Sequence, residues 1–256
     1  MLAVQRRNAT LELLGRHDAV SVEALAATLG VSFSTVRRDL QDLERAGIVR
    51  RIHGGAVLSR PATLPDAPEL PPAHRQVEHR AEKRSIARVA AGLIVPGSTV
   101  LITGGTTTGA LVPLLASIPS VTVVTNSLAV ATGLAGSDVD VVVLGGALRR
   151  PELSLLGHVV ATSIVEVHVD HALMGVYGVD PRSGVLGASA AECETDRILA
   201  RSARRLTILA DASKFSRRSP HRIAGVELIV DLVTSSGAPP DDLTALRARG
   251  VDVHVA

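Results

Sequence analysis

Residues 21–56 read SVEALAATLGVSFSTVRRDLQDLERAGIVRRIHGGA, which predicts two short helices joined by a glycine turn. Ser21 is a favourable N-cap, because its hydroxyl can accept a hydrogen bond from an early backbone N–H of a helix that follows it. Gly30 then permits the left-handed backbone conformation that a tight turn needs. Before this stretch, residues 5–14 predict one further helix, with leucines spaced for one face.

The helix after the glycine turn has one apolar face and one polar face. Ser32 or Ser34 can cap it, and Val36, Leu40 and Leu43 recur at the spacing of a buried stripe. The side chains left facing outward carry hydroxyl, guanidinium and amide groups: Ser34, Thr35, Arg37, Arg38 and Gln41. A glycine turn followed by a polar, arginine-bearing helix is the helix-turn-helix arrangement.

Residues 48–58 predict a β-hairpin that would form a wing beside this helix. Arg50, Arg51 and His53 would then lie near phosphates, and Gly54 lets backbone amides approach closely. Residues 1–60 hold nine arginines and six acidic residues, an excess that suits a nucleic-acid partner. Winged helices also dock proteins, so the spacing alone leaves both partners open.

Composition excludes several classes of protein. With 46% hydrophobic and 20% charged residues, the chain can bury a core, so global disorder is excluded. Three aromatic residues are too few for a surface that stacks single-stranded bases. No apolar run is long enough for a membrane span, the N-terminus is unlike a signal peptide, and one cysteine excludes an internal disulfide framework. We therefore expect a cytoplasmic protein without a membrane partner.

Residues 59–73, SRPATLPDAPELPPA, contain five prolines and predict an extended spacer between two domains. The predicted domains are residues 1–58 and residues 74–256. The second domain begins with a helix over residues 74–92. Near-continuous Val, Ile and Leu runs then alternate with helical stretches, which predicts an α/β domain with a mostly parallel sheet covered on both faces.

Small polar residues follow several of the predicted strands. In parallel sheets, ligands bind beyond the carboxyl ends of the strands. Glycines and hydroxyls there suit a phosphate, and Lys214 is one of only two lysines and a natural partner for its charge. The predicted ligand-binding residues at these strand ends are Gly104, Gly105, Thr106, Thr107, Thr108, Thr125, Asn126, Ser127, Gly145, Gly146, Asp211 and Lys214. The pattern indicates a pocket for a polyhydroxylated, phosphorylated small molecule.

The N-terminal stretch resembles the winged helix-turn-helix of the DeoR family of bacterial transcriptional regulators. The strings VSFSTVRRDL and GIVRRIHGGA match that family's recognition helix and wing in order and spacing, over about residues 3–58. The resemblance implies binding to double-stranded operator DNA. The residues assigned to this contact are Ser32, Ser34, Thr35, Arg37, Arg38, Arg50, Arg51, His53 and Gly54.

The remaining chain resembles the sensor domain of the same family, over nearly all of residues 75–256. The matching strings include GGTTT, VTNS, LGG, GVYGVD and DASKF. The resemblance implies a Rossmann-like, ribose-5-phosphate-isomerase-like fold that senses a phosphorylated sugar. By that likeness residues 105–108 hold the phosphate, and Asn126, Glu192, Asp211 and Lys214 address the rest of the effector. Asp196 stands where the family often has lysine, and Ser235 where it often has aspartate.

The function predicted from these observations is a transcriptional regulator, most simply a repressor of carbohydrate-metabolism genes that a phosphorylated sugar releases from its operator. It would bind DNA as a homo-oligomer, a dimer or a tetramer, and need no metal or cofactor. The alternative is a sugar-phosphate isomerase with a DNA-binding appendage, in which Glu192 or Asp211 is the general base and Lys214 the electrophile.

Two other clusters carry weaker signals. His168 and Asp170 would share one face of a strand and His171 the other, which disfavours a shared metal. Cys193 has no evident histidine and acid partners, so we do not predict a nucleophile there.

Overall fold

The computed structural model describes residues 6–7, 9–10, 13–14, 20–45, 49–52, 54–58, 72–150 and 152–256. The chain divides into two compact units, Met1–Glu78 and His79–Ala256. Residues 59–71 of the predicted spacer lie outside the described residues, whereas its last two residues begin a helix.

The N-terminal unit has a helix-turn-helix followed by a β-hairpin, as predicted. The described residues between 6 and 14 are helical. The elements that follow are β1 (Val20–Ser21), α1 (Val22–Leu29), α2 (Phe33–Arg45), β2 (Val49–Ile52), β3 (Gly55–Leu58) and α3 (Pro72–Val77). The three strands form an antiparallel sheet in the order β1-β3-β2, and the pairing of β1 with β3 was not predicted.

Capping groups at the ends of α1 and α2 act as the sequence predicts. The Ser21 hydroxyl accepts a hydrogen bond from the backbone N–H of Ala24 at 3.1 Å, and Gly30 is left-handed with φ 64°. The Ser32 hydroxyl accepts from the backbone N–H of Thr35 at 3.3 Å, so Ser32 caps α2. The predicted apolar stripe of α2 is buried in the core of this unit.

The two glycines of the wing have different roles. Gly54 has φ 77°, a conformation that other residues rarely adopt, and it forms the turn. At Gly55 an added Cβ would lie 2.4 Å from the carbonyl oxygen of Val20, so β1 and β3 can pair this closely only at glycine. The geometry of the wing therefore depends on both residues.

The C-terminal unit is built on a seven-stranded sheet in which every neighbouring pair is parallel, confirming the predicted fold class. The strands are β4 (Thr99–Ile102), β5 (Thr122–Thr125), β6 (Asp140–Val143), β9 (Val169–Gly175), β12 (Ala203–Ala210), β14 (Asp231–Thr234) and β15 (Asp252–Val255). Their order across the sheet is β15-β14-β12-β9-β4-β5-β6.

Helices cover both faces of this sheet. They are α4 (Arg80–Ala91), α5 (Thr106–Gly109), α6 (Val112–Leu115), α7 (Leu128–Leu134), α8 (His158–Val165), α9 (Ala190–Arg201) and α10 (Pro240–Arg247), with short 3-10 helices at Ala212–Lys214 and Val226–Leu228. In β4, Val100 and Ile102 pack into one apolar cluster and Leu101 into the other. This alternation explains why the strand is apolar throughout.

Two small sheets were not predicted. One is the antiparallel hairpin of β7 (Ala147–Arg149) and β8 (Ser154–Leu156). The other joins β10 (Gly178–Asp180), β11 (Gly184–Leu186) and β13 (Arg222–Ala224). These strands of three residues are too short to give an alternating pattern.

The single helix predicted over residues 74–92 is wrong. The structure has two helices there, α3 and α4, separated at His79, which has φ 54° and ψ 31°. A left-handed residue cannot continue a right-handed helix, and periodicity alone does not reveal it because histidine is not a typical helix breaker. In the described part of the chain, no helix is long and apolar enough to cross a membrane.

Candidate functional site

The outer face of α2 presents the polar side chains that the sequence assigns to DNA. Ser32, Ser34, Arg37 and Arg38 are exposed, and Thr35 is half-buried. The Ser32 hydroxyl lies 2.8 Å from the Ser34 hydroxyl and 2.8 Å from the Thr35 hydroxyl. This hydroxyl cluster therefore supports the start of α2, and the two arginines follow it along the exposed face.

Asp39 is a residue of this unit whose role the sequence reasoning missed. It is 3% exposed on the inner side of α2, where its carboxylate accepts hydrogen bonds from the Arg6 guanidinium. These hydrogen bonds raise the pKa of Arg6. Arg7 pairs with Asp42 one turn further along α2. The N-terminal helical residues are thus tied to the recognition helix, and the signal was an acidic residue inside the buried stripe.

The wing is joined to both helices by backbone contacts. The Gly54 carbonyl accepts from the backbone N–H of Val22 at 2.9 Å, and the backbone N–H of Arg51 donates to the Glu44 carboxylate at 3.2 Å. The Arg51 side chain is exposed. The side chain of Arg50 and all of His53 lie outside the described residues, so their assignment stays a prediction.

A second site lies at the carboxyl edge of the large sheet, where the loops after β4 and β5 meet the β7–β8 hairpin. An added Cβ at Gly104 would lie 3.3 Å from the Ser127 hydroxyl and 3.9 Å from Cβ of Ser154. Among the described residues, three buried oxygens here have no hydrogen-bond partner: Thr103 Oγ1, Asn126 Oδ1 and Ser154 Oγ. Unpaired buried polar atoms are costly, so this edge is suited to a polar ligand or water.

The loop after β4 has the conformation that its glycines allow. Gly105 has φ 144°, and an added Cβ there would meet the Thr108 hydroxyl at 3.2 Å. Gly104, Gly105 and Thr106 are half-buried. Thr107 and Thr108 are buried, and the Thr108 hydroxyl donates to the Gly105 carbonyl at 3.1 Å. The first three residues of the loop are therefore the accessible part of the predicted phosphate-binding segment.

Of the three polar residues after β5, two use their hydroxyls in hydrogen bonds within the fold, and one has an unpaired oxygen. The Thr125 hydroxyl donates to the Ile102 carbonyl at 2.6 Å, and Ser127 caps α7. The Asn126 amide donates to the Leu155 carbonyl at 3.1 Å, which leaves its carbonyl oxygen among the unpaired atoms. Asn126 is thus the residue of this group with a free acceptor at the edge.

Two of the predicted ligand positions are occupied by protein contacts. An added Cβ at Gly145 would lie 2.9 Å from Val159, and one at Gly146 would lie 2.7 Å from the Leu156 carbonyl. Close packing against α8 and β8 therefore accounts for both glycines.

Glu192 also makes internal contacts with both carboxylate oxygens. One accepts from the hydroxyl of Ser189, the N-cap of α9, at 3.0 Å, and the same hydroxyl accepts from the Glu192 backbone N–H at 3.4 Å. The other lies 3.0 Å from the Arg149 guanidinium. Arg149 also pairs with Glu152, so it joins two carboxylates.

Asp196, one turn beyond Glu192 on α9, is half-buried. Burial and the charge of Glu192 raise its pKa to about 7, against the lowering effect of Arg149.

Charged groups gather after β12 and against α4. Asp211 is 1% exposed, Lys214 7% and Lys83 5%. The Lys83 ammonium lies 3.8 Å from the Asp211 carboxylate. Burial alone would raise the pKa of Asp211, but Lys214, the Ser213 hydroxyl and Lys83 outweigh it, so the pKa lies below its ordinary value. The loop thus brings two buried lysines close to one ionised carboxylate.

A series of hydrogen bonds leads from this loop to the start of the C-terminal unit. The backbone N–H of Ala212 donates to the Ser235 hydroxyl at 3.0 Å, and that hydroxyl donates to Glu82 Oε2 at 2.5 Å. Glu82 Oε1 lies 2.7 Å from Nδ1 of His79. His79 is the first residue of the unit and adopts the left-handed conformation described above.

The weaker candidates take separate places in the fold. His168 lies 3.6 Å from Asp170, whereas the buried His171 contacts the Thr207 hydroxyl at 2.7 Å. In the described ranges, no group of three or more His, Cys, Asp or Glu side chains could hold a metal ion. Burial, with the charge of Asp196, raises the pKa of Cys193 to about 11, so its thiol is protonated near neutral pH.

Each of the two units matches a known protein domain family. Residues 6–62 match the DeoR-like helix-turn-helix domain, and residues 78–236 match the DeoR C terminal sensor domain. Together these two matches cover most of the chain.

Two relatives are similar along nearly their whole length. The glycerol-3-phosphate regulon repressor of Escherichia coli (strain K12) is 32% identical over 242 residues, which is 94% of this chain and 93% of the relative. The HTH-type transcriptional regulator GlpR of Haloferax volcanii is 31% identical over 253 residues, 99% of this chain and 98% of the relative. A ribose 5-phosphate isomerase from Methanocaldococcus jannaschii is a more distant structural neighbour. It has 17% identity and a TM-score of 0.42, over 54% of this chain and 55% of that chain.

Proposed function

The chain belongs to the DeoR family of transcriptional regulators, and from that premise we propose that it is a repressor released from operator DNA by a phosphorylated sugar. Residues 1–58 would bind DNA, residues 74–256 would bind the effector, and residues 59–73 would connect the two. Its site of action is the cytoplasm, where operator DNA is found. The observation that carries this proposal is the combination of an exposed arginine face on α2 with unpaired buried oxygens at the sheet edge.

We propose that α2 enters the major groove and the wing lies against the phosphates. Arg37 and Arg38 are exposed on the outer face of α2, where a guanidinium can pair with guanine or phosphate. Ser34 and Thr35 make the shorter contacts near the start of the helix. The remaining contacts come from Ser32 at the cap and from the wing residues Arg50, Arg51, His53 and Gly54.

The effector assignment follows from the chemistry of the sheet edge. A polyol can donate hydroxyl hydrogens to the free oxygens of Thr103, Asn126 and Ser154. A phosphate suits the accessible glycine-threonine segment Gly104, Gly105 and Thr106, with Thr107 and Thr108 behind it. We propose that Lys214 and Asp211, after β12, address the rest of the effector. A relative named as a glycerol-3-phosphate regulon repressor supports a phosphorylated polyol as the class of effector.

The effector releases DNA only if it binds one conformation of the protein better than the other. We propose that it acts on the Asp211–Lys214 loop, and that Ser235 and Glu82 pass the change to His79. These contacts link that loop to the residue at which the chain enters the C-terminal unit.

We propose that the protein binds its operator as a homo-oligomer, a dimer or a tetramer. Helix-turn-helix proteins commonly read paired half-sites through a twofold axis. Val165 at the end of α8 is 76% exposed, and Ile198 on α9 is 36% exposed beside it in a groove with Arg197 and Arg201. Contiguous exposed apolar surface marks an interaction site, and we propose that this groove belongs to the subunit interface.

The isomerase alternative has less support in the structure. Both carboxylate oxygens of Glu192 are held by Ser189 and Arg149, which disfavours Glu192 as the general base. Assay of the full chain with ribose 5-phosphate tests it, and we expect no ribulose 5-phosphate above background. Steady turnover that Lys214→Met abolishes would contradict a purely regulatory role.

The DNA-binding part of the proposal is tested by the salt dependence of affinity for a DNA fragment that the full chain binds. Phosphate contacts release counterions, so the affinity should fall with a slope of about 0.9 per neutralised phosphate on a logarithmic plot. We expect Arg51→Ala to reduce that slope by about one. Affinity without salt dependence would instead favour a wing that docks a protein.

A further inference from the structure

Two large apolar side chains are exposed among the described residues of the N-terminal unit. Phe33 is 54% exposed and Ile52 is 37% exposed, whereas Leu25, Leu29 and Leu40 are buried. Phe33 is the first residue of α2, and Ile52 is on the strand β2 of the wing. Both exposed side chains thus lie on the elements assigned to DNA.

Phe33 has no part in the apolar core that the described residues of its unit form. The buried stripe of α2 is formed by Val36, Leu40 and Leu43, and Phe33 is absent from the apolar cluster around it. The other two aromatic residues of the chain have protein partners: Phe215 is 3% exposed and Tyr177 lies under the Arg217 guanidinium at 4.9 Å. Phe33, between Ser32 and Ser34, is therefore the aromatic residue that the described part of the chain leaves mostly exposed.

The position of the ring matches an apolar feature of the major groove. The N-terminal residues of a recognition helix contact base edges, and thymine presents a C5-methyl group there that phenylalanine can contact. Phe33 and Arg37 are one helical turn apart, about 6 Å along the axis. Successive base pairs are about 3.4 Å apart. A separation of this size spans about two base-pair steps, so the ring and the guanidinium would contact different base pairs.

We propose that Phe33 is a specificity-determining residue that selects a thymine in each half-site by packing its ring against the C5-methyl group. This inference rests on the proposed DNA-binding function and adds a base preference to it. It also assigns α2 an apolar contact beside the polar contacts of Arg37 and Arg38. Such a contact contributes to sequence preference and hardly to salt dependence, because it neutralises no phosphate.

The test removes the methyl group from the DNA and the ring from the protein. Duplexes that the full chain binds are first enriched from a random library. Deoxyuridine, which differs from thymidine by the lack of the methyl group, then replaces each thymidine in turn. Affinities are measured by fluorescence anisotropy for the wild type and for Phe33→Ala.

We expect one thymine in each half-site at which deoxyuridine weakens wild-type binding about fourfold, the size that burial of one methyl group gives. At that position Phe33→Ala should bind both duplexes equally, while the response to deoxyuridine elsewhere stays the same. Val95→Ala is the control, because Val95 is 67% exposed in the C-terminal unit and its truncation should change no affinity.

Other outcomes overturn the inference. If Phe33→Ala lowers both affinities by the same factor, so that thymidine is still preferred over deoxyuridine, the ring contacts the sugar-phosphate backbone. If Phe33→Ala changes neither affinity, the ring lies outside the DNA interface. Phe33→Ala and Val95→Ala should have the same unfolding midpoint as the wild type, which excludes a folding defect. Failure of the wild type to enrich any duplex would contradict the proposed function itself, which separates the two failures.

Discussion

Ser235→Ala is the substitution that most directly separates effector sensing from DNA binding. The Ser235 hydroxyl is buried between the Asp211–Lys214 loop and α4, where it accepts from Ala212 and donates to Glu82. Alanine removes both hydrogen bonds and keeps the volume nearly unchanged. Ser235 lies in the C-terminal unit, so the substitution changes no residue of α2.

The size of the effect follows from the charge of Glu82. A hydrogen bond to a charged group contributes about 1.5–3 kcal/mol. Coupling between an effector and a second ligand is typically about 1–3 kcal/mol, or roughly 5–150-fold in affinity. Loss of the contact between Ser235 and Glu82 can therefore remove most of the coupling. We expect less than about fivefold release of DNA by the effector in the variant.

The assay is fluorescence anisotropy of labelled operator DNA at fixed salt, with and without a saturating phosphorylated sugar. Affinity without effector should equal that of the wild type. Ser117→Ala is the matched control, because this exposed hydroxyl, just after α6, donates to the Leu114 carbonyl of that helix. Urea unfolding should show a loss of about 1–3 kcal/mol in Ser235→Ala, because the Ala212 N–H and Glu82 Oε2 lose their partner.

The reasoning is refuted if Ser235→Ala releases DNA with the same effector response as the wild type. It is also refuted if the variant loses affinity for DNA in the absence of effector while its unfolding curve shows a fully folded protein. Either result would mean that the hydrogen bonds from Ala212 through Ser235 to Glu82 do not carry the signal.

Three further predictions concern other parts of the molecule. Arg37→Ala should weaken operator binding by about 1–3 kcal/mol and leave effector binding unchanged, which anisotropy and calorimetry check; an unchanged operator affinity would contradict its placement in the groove. Burial and Arg205 lower the pKa of His171 from 6.5 to about 4, so the unfolded state takes up a proton first as the pH falls. The free energy of unfolding should therefore fall by about 3 kcal/mol between pH 6.5 and 4, a drop that His171→Asn should lack in urea titrations. Val165→Asp should reduce the mass measured by light scattering to that of a smaller assembly, and an unchanged mass would exclude this face from the interface.

The recognition helix could be predicted well because its pattern is local. Val36, Leu40 and Leu43 recur at helical spacing, so the sequence predicts both the buried stripe and the exposed face with Arg37 and Arg38. What local periodicity does not show is that one polar residue faces inward. Asp39 is buried in an ion pair with Arg6, which lies 33 residues away in the sequence. Helical periodicity relates only residues a few positions apart, so it does not predict this pair.

The sheet edge was predictable in outline for a similar reason. The strand-end rule correctly places Asn126 and Asp211 at the same edge of a parallel sheet. The contacts that complete the edge join distant residues: Ser235 and Glu82 are 153 residues apart. Such pairings depend on the order of strands across the sheet, which alternation of strands and helices does not specify.

The glycines predicted to bind the ligand are glycines for two different reasons. At Gly105 the positive φ agrees with a loop that presents its backbone. At Gly145 and Gly146 the reason for glycine is the close approach of α8 and β8, which the sequence does not distinguish from an open ligand site. Glu192 is ambiguous in the same way, since its carboxylate could contact either a ligand or the N-cap hydroxyl of its own helix.

Release of operator DNA by phosphorylated sugars tests the central claim most directly. Anisotropy of a labelled fragment bound by the full chain would be followed at near-physiological salt, first with a pool of phosphorylated sugars and then with the same sugars unphosphorylated. Release by the phosphorylated pool alone is the predicted result, and splitting the pool identifies the effector. Tight binding that no phosphorylated sugar disturbs would contradict the assignment of the sheet edge as the effector site.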